Sequence, residues 1–427
     1  MRKLLGLFCI LFLTACAAVQ PAATTLEPPA VISPQPSPVN ATATAAPETT
    51  RIQSLSIWIP EEFDPKKGSP AAKLLQTAIV GFMDENPGVT VNLRVKAATG
   101  PANLLESLML TSAAAPEAMP SIALLNRSQM EETAGKGVIF PFDGLTTVLD
   151  ETDWYPFSKE LATFHEDIYG LPLSGDALVL VLRNNRVPSQ TPTWTDIEKQ
   201  GSAILFPAAD PQAAVPLALY RSAGGSTQNL QMVPEIETGE LETTLTMLAS
   251  GTDKNIFPTW LINYQTDKQI MDMFISQQGG GVITWLSNYL VSRPAETSLF
   301  ALPSLGSGSA TYASGTVWAL TDTNPERRQL SVRLAEFLSR SEFLAQWNLI
   351  NNSLPPRPSA LTVWPDTPLR TQLNQVALAA QIRPSSQIMA SLGPVVQEAT
   401  ILILKKQSDP VKAAKTAQER LAAPASK

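Results

Sequence analysis

Cysteine and histidine are almost missing from this chain of 427 residues: it has Cys9, Cys16 and a single histidine, His165. Any mature form that loses Cys9 has no intramolecular disulfide, so the fold rests on apolar burial, for which the chain is long enough. The residue four places after His165 is Tyr169, so the second histidine of a zinc-protease helix is absent. A serine or cysteine nucleophile with a histidine base would depend entirely on His165, which lies in a turn. Gly279-Gly280-Gly281 runs into Val282, without the Lys-Ser or Lys-Thr of a phosphate loop. The formal net charge of −7 leaves no broad basic surface and argues against nucleic acid as a partner. No cofactor or metal motif is found, and the chain reads as no enzyme. Only a carboxylate pair for glycoside hydrolysis stays open, because any two acids can meet in a cleft.

What is present begins at the N-terminus. Arg2 and Lys3 precede the apolar run Leu4 to Leu13, and Leu13-Thr14-Ala15-Cys16 puts small residues before a cysteine. Ten apolar residues are too few to span a bilayer, and the pattern reads as a signal peptide over 1–15. It resembles a bacterial lipobox, which implies lipidation of Cys16 and an anchor in the membrane, on its outer face. Ala17 to Thr50 carries seven prolines, no aromatic residue and only Glu27 and Glu48 as charges. Such a segment has too little apolar surface to fold, and 16–50 is expected to be a lipidated tether able to reach about 100 Å at about 3.1 Å per residue.

From residue 51 the periodicity changes. Leu55, Ile57 and Ile59 alternate, Ala71 to Phe82 recur at helical spacing, and Val89, Val91, Leu93 and Val95 alternate again; this is strand, helix, strand. Asn86-Pro87-Gly88 punctuates the helix end. A helix over 102–113 leads to the apolar strand Ile122 to Leu125, and Ala177 to Leu182 reads as a central strand. Further helices are expected over 210–223, 240–249, 266–277, 325–338, 342–350, 369–382 and 394–406. Strands separated by helices predict an α/β protein with mostly parallel sheets covered by helices. A body this long predicts two lobes.

Several segments, in order, are similar to one family. They are Ile57-Trp58-Ile59; Gly81-Phe82-Met83-Asp84-Glu85-Asn86-Pro87-Gly88; Ala134-Gly135-Lys136-Gly137-Val138-Ile139-Phe140-Pro141; Tyr169-Gly170-Leu171-Pro172-Leu173 with Asp176; Gly281-Val282-Ile283-Thr284-Trp285; Phe300-Ala301-Leu302-Pro303; and Asn352-Ser353-Leu354-Pro355. Together they resemble the extracellular solute-binding proteins of ABC importers, in the maltose-binding-protein-like family 1. The resemblance implies a two-lobed, periplasmic-binding-protein-like clamp of type II. Its N-terminal lobe is expected over 51–176 plus 306–340 and its C-terminal lobe over 177–305 plus 341–422. Crossings are expected near Asp176, Pro303 to Ser314 and Arg340 to Phe343.

The same resemblance implies a monomeric receptor that takes a small solute, a carbohydrate first among the candidates, and passes it to the membrane subunits of a permease. Closure on ligand would signal occupancy. A cell-surface sensor or adhesion lipoprotein with the same clamp is the alternative. Trp58 ends the first strand, where open α/β sheets bind ligands, and core packing is its other reading. Asn126 and Arg127 follow the third strand, as hydroxyl-binding groups or as a solvated loop. Asp176, at the first crossing, is a hydroxyl acceptor or a helix cap. By resemblance Trp285 stacks on a sugar ring, and Tyr220, Trp260, Tyr312, Ser314 and Arg357 face the cleft. Leu125 and Leu392-Gly393 stand where maltodextrin binders have tryptophans, which disfavours a long glucan.

Overall fold

The computed structural model describes residues 53–184, 192–306 and 308–423. Cys16 and the expected segments 1–15 and 16–50 lie outside the described residues. The strands are β1 Gln53–Pro60, β2 Val89–Lys96, β3 Ile122–Asn126, β4 Thr163–Phe164, β5 Asp167–Ile168, β6 Leu171–Arg183, β7 Ile204–Leu205, β8 Gly281–Trp285, β9 Thr297–Ala301, β10 Tyr312–Leu320 and β11 Gln381–Ile382. All but β4 and β5 join one sheet in the order β2-β1-β3-β10-β6-β8-β7, with β11 on β10 and β9 on β6. Parallel pairs lie at the flanks, β6 and β10 pair antiparallel with each other and with β3, β8 and β9, and β11 joins β10 in parallel.

β6 ties the two halves together. Its first residues, Leu171 to Ala177, pair with β10, while Leu178 to Arg183 pair with β8 and β9. Gly175 and Gly315 face each other at this join. A Cβ on Gly315 would lie 2.2 Å from the Ser174 carbonyl oxygen, and one on Gly175 would lie 2.7 Å from the Phe157 ring. Only glycine lets the strands approach this closely.

The alternation of β1 sets two packing faces. Leu55, Ile57 and Ile59 share a core with Leu124, Leu171, Trp318, Leu334 and Trp347. Trp58 points the other way, into a larger core that also holds Leu125, the Leu178 to Leu182 run, Val282, Ile283 and Leu392. Fully burying one such side chain contributes about 1.5–3 kcal/mol, so these faces dominate stability.

Several helix limits differ from the sequence expectation. The helix expected over 210–223 is Ala214–Ser222, because the Asp210 carboxylate accepts from the Gln212 and Ala214 amides and makes a turn first. The stretch 369–382 divides into the helix Pro368–Ala379 and β11, since Ile382 pairs with Ala313. The last long helix starts at Ser386, capped by Ser385, and carries Pro394 inside it. It is long and apolar enough to cross a membrane by length and composition, yet Ile388, Leu392, Val396 and Ile403 are packed in the core. The helix Ser341–Ile350, expected in the C-terminal lobe, packs Phe343, Leu344 and Trp347 against the β1 and Trp318 core. Beyond this helix Leu354 bridges to Gly175 at the join.

Candidate functional site

Strands β1 and β3 from one half and β8 from the other end around the β6–β10 join, and cavities open there. One, of about 580 Å³, is lined by Pro60, Phe63, Asn126, Gln129 and Trp347. A second, of about 430 Å³, is lined by Asp176, Trp285, Ser287, Asn288 and Ser314. They share Ser174, Thr316 and Ser353, so they form one cleft floored by the join. A third cavity, of about 1370 Å³, continues from Arg383, which lines both it and the second.

On the first wall Asn126 and Gln129 are neutral and self-satisfied, and one carboxylate, Glu62, also lines it, its pKa raised by burial and then by Glu61. Asn126 caps the helix Arg127–Gly135: its side chain accepts from the Gln129 amide at 2.9 Å, and Gln129 Oε1 accepts from the Asn126 amide at 3.0 Å. This reciprocal capping box fixes both side chains at the cleft edge. Ser174 Oγ and Thr316 Oγ1 are 2.7 Å apart on the floor.

The second wall is charged. Asp176 Oδ1 accepts from the Ala177 and Ser287 amides, and Oδ2 accepts from Ser287 Oγ at 2.6 Å. Asp176 therefore caps the helix Leu286–Ser292, tying β6 to the element that follows Trp285. Burial pushes the Asp176 carboxyl up to about 6, against the pull of the Ser287 hydrogen bonds. Asp267, at the first turn of the helix Asp267–Ile275, is pushed up to about 7, first by burial and then by the nearby Asp210 and Asp176 charges. Its Oδ1 is buried without a hydrogen-bond partner. Trp285 is half-buried, with part of its indole facing the cavity. Among the described residues no cluster of three or more His, Cys, Asp or Glu is placed to hold a metal.

Of the residues expected from sequence, Asp176, Trp285 and Ser314 meet in one cavity and Asn126 lines its neighbour. Arg127 lines the third cavity, but its guanidinium is locked to Glu131 at 2.7 Å and to the carbonyls of Glu160, Leu161 and Thr163. Trp260 is half-buried against Tyr264 and lines none of the three cavities.

Four residues are drawn away. Trp58 is 2 % exposed, with Lys96 Nζ 3.8 Å from its ring centroid; it follows the core reading because its side chain leaves the β1 face opposite to Ile57. Tyr220 is buried, with its hydroxyl donating to the Ser226 carbonyl and accepting from the Glu237 amide. Tyr312 is buried and donates to the Leu217 carbonyl. Arg357 lies over Trp154 and pairs with Glu151 at 2.6 Å, beside a separate cavity that includes Glu85 and Arg340. These polar tips close loops, which apolar periodicity does not report. Ser174, Ser287, Thr316 and Arg383 were missed. Ser287 has a readable signal, the helix start directly after a strand end, whereas Arg383 reaches the cleft through β11, its amide donating to the Ala313 carbonyl.

A cleft at the carboxyl ends of strands from two packed halves, floored by crossing strands, has the form of an α/β ligand-binding clamp. The family model described as bacterial extracellular solute-binding protein matches residues 77–372, and the chain belongs to that family. Among solved structures, the sugar-binding protein MalE from Xanthomonas citri aligns with a TM-score of 0.70 at 16% identity, over 86% of this chain and 96% of that one. The cyclic α-maltosyl-1,6-maltose binding protein from Arthrobacter globiformis gives 0.70 at 14%, over 86% and 97%. An ABC transporter solute-binding protein from Thermotoga lettingae, bound with α-D-tagatose, gives 0.61 at 16%, over 86% and 98%. No curated protein matches significantly.

Proposed function

We propose that this chain is a lipid-anchored extracellular receptor that binds a carbohydrate in the cleft and delivers it to an ABC import permease by lobe closure. The observation that carries the reading is the composition of the cleft: Trp285 offers an aromatic face next to Asp176, Ser287 and Ser314, which suits a ring with an apolar C–H face and hydroxyl edges. The sugars named for the aligned structures support it. Ligand touching both walls favours the closed arrangement, so occupancy and closure are linked. Binding needs no covalent chemistry, and the protein acts as no enzyme. Cys16 holds the receptor at the membrane and raises its effective concentration near the permease.

A thermal-shift screen of the full-length chain in detergent tests this. A sugar at about 100 times its Kd adds about 2.7 kcal/mol of stability. A rise given by amino acids or peptides, with every sugar inert, overturns the carbohydrate reading. Cys16→Ala is expected to keep binding and lose uptake in cells.

A further inference from the structure

The third cavity has an imbalance of hydrogen-bonding capacity that the neutral-sugar reading leaves unused. Arg221 and Arg383 both line it, and both act on the buried Tyr312, which places them in one neighbourhood. Neither forms an ion pair among the described residues. Each guanidinium has five N–H donors. Arg383 uses one, from Nη1 to Gln212 Oε1 at 2.8 Å, and Arg221 makes no side-chain hydrogen bond among the described residues.

Four of the cavity's five acids are in the opposite condition. Glu131 is paired with Arg127 and accepts from the Ser386 amide; Glu132 is paired with Lys136. Glu160 accepts from the Ile382 amide and Glu237 from the Ser226 amide. Glu235 is exposed. Arg383 is half-buried and burial holds its pKa below the usual range, only partly offset by Glu131 and Asp210. A cation drawn out of water without a partner is unfavourable, and an anion arriving with the ligand relieves it.

We propose that the receptor selects an anionic saccharide, with Arg383 and Arg221 gripping its acidic group in the third cavity while Trp285 and Ser314 hold the sugar ring side. This rests on the carbohydrate reading. Arg383 lies where the second and third cavities meet, so one ligand can span both. A guanidinium fork matches a carboxylate in two parallel hydrogen bonds, which makes a uronic acid the leading form and a sugar phosphate the other.

The test is calorimetric titration of the full-length chain in detergent with uronic-acid disaccharides and with sugar phosphates, each against its uncharged parent. The expected result is a preference of about tenfold or more for the charged member of one pair, weakened by salt. Arg383→Gln and Arg221→Gln are expected to abolish that preference, bringing the charged member down to the affinity of its neutral parent in the same variant, with Arg383→Lys restoring part of it. The ligand-free melting point of Arg383→Gln should hold or rise, which separates lost recognition from lost folding. Neutral parents binding as tightly as charged members, or a preference that survives both Gln variants, overturns the inference and leaves the carbohydrate reading standing. No binding of any saccharide overturns both.

Discussion

The two walls of the cleft solve the same problem with different chemistry. The wall built on β1 and β3 presents Asn126 and Gln129, neutral groups that already hydrogen-bond each other, with Glu62 beside them, and the floor adds the paired hydroxyls of Ser174 and Thr316. The wall beyond the join presents Asp176, Trp285 and Arg383, with Asp267 behind them, and there burial has shifted the ionisable groups from their ordinary values. A self-satisfied surface gains little from a ligand, since each new bond replaces an old one. An aromatic face and under-coordinated charges gain more, because the ligand removes water or supplies a missing partner. The first wall is therefore expected to shape the site and the second to supply most of the affinity.

The largest effect should come from breaking the join that holds the walls in register. Gly315→Ala puts a methyl group 2.2 Å from the Ser174 carbonyl oxygen, and a backbone atom within a paired strand cannot move aside. A loss of about 3 kcal/mol is expected in urea unfolding, at the upper end of ordinary overpacking. An unchanged midpoint would mean that the walls are not positioned through Gly315. Next comes the contrast itself. Trp285→Ala should weaken ligand binding by about 2 kcal/mol, roughly thirtyfold, while Asn126→Ala on the opposite wall changes it by no more than a few-fold. Equal losses in calorimetric titration would erase the distinction between the walls.

Much of this contrast was legible in the residues, but unevenly. Trp285 ends an apolar strand, and a tryptophan just after Val282-Ile283-Thr284 marks a sheet edge without help from tertiary structure. In the sequence Asp176 suits both a ligand group and a helix cap; only folding brings Ser287 to it across 111 residues. Trp58 shows the limit from the other direction. Its place near the end of β1 suggested the cleft, yet strand alternation turns it to the face opposite Ile57, into the core with Leu125. Pro394 misled because a proline is commonest at a helix start, whereas here the helix was already running from Ser386. Gly393 explains the missing aromatic at that point: a Cβ there would lie 2.3 Å from the Pro211 carbonyl oxygen, so the backbone of the turn at Pro211 and Gln212 occupies the space.

A smaller effect isolates the electrostatics of the charged wall. Asp267 is pushed up to about 7 in the folded protein, so the fold opposes its ionisation. Its contribution to stability is most favourable near the unfolded value of about 3.9 and below, falls as pH rises, and levels off above about 7. Asp267→Asn removes that fall. The variant should match the parent near pH 4 and exceed it by up to about 2 kcal/mol at pH 8, measured by urea midpoints across the range. A parent whose stability relative to the variant increases with pH would reverse the sign and place Asp267 in a favourable ion pair.

The smallest change belongs to the floor of the cleft. Ser174→Ala removes one hydroxyl from the pair with Thr316, which is 2.7 Å away and stands at the cavity edge, where water can take the vacated partner's role. A half-buried pair of this kind contributes about 0.5–1 kcal/mol. Stability should fall by no more than that, and ligand affinity should change less than twofold, because the lost group was already occupied before the ligand arrived. A tenfold loss of affinity at unchanged stability would show that the Ser174 hydroxyl switches partners on binding, and the floor would then contribute recognition as the second wall does.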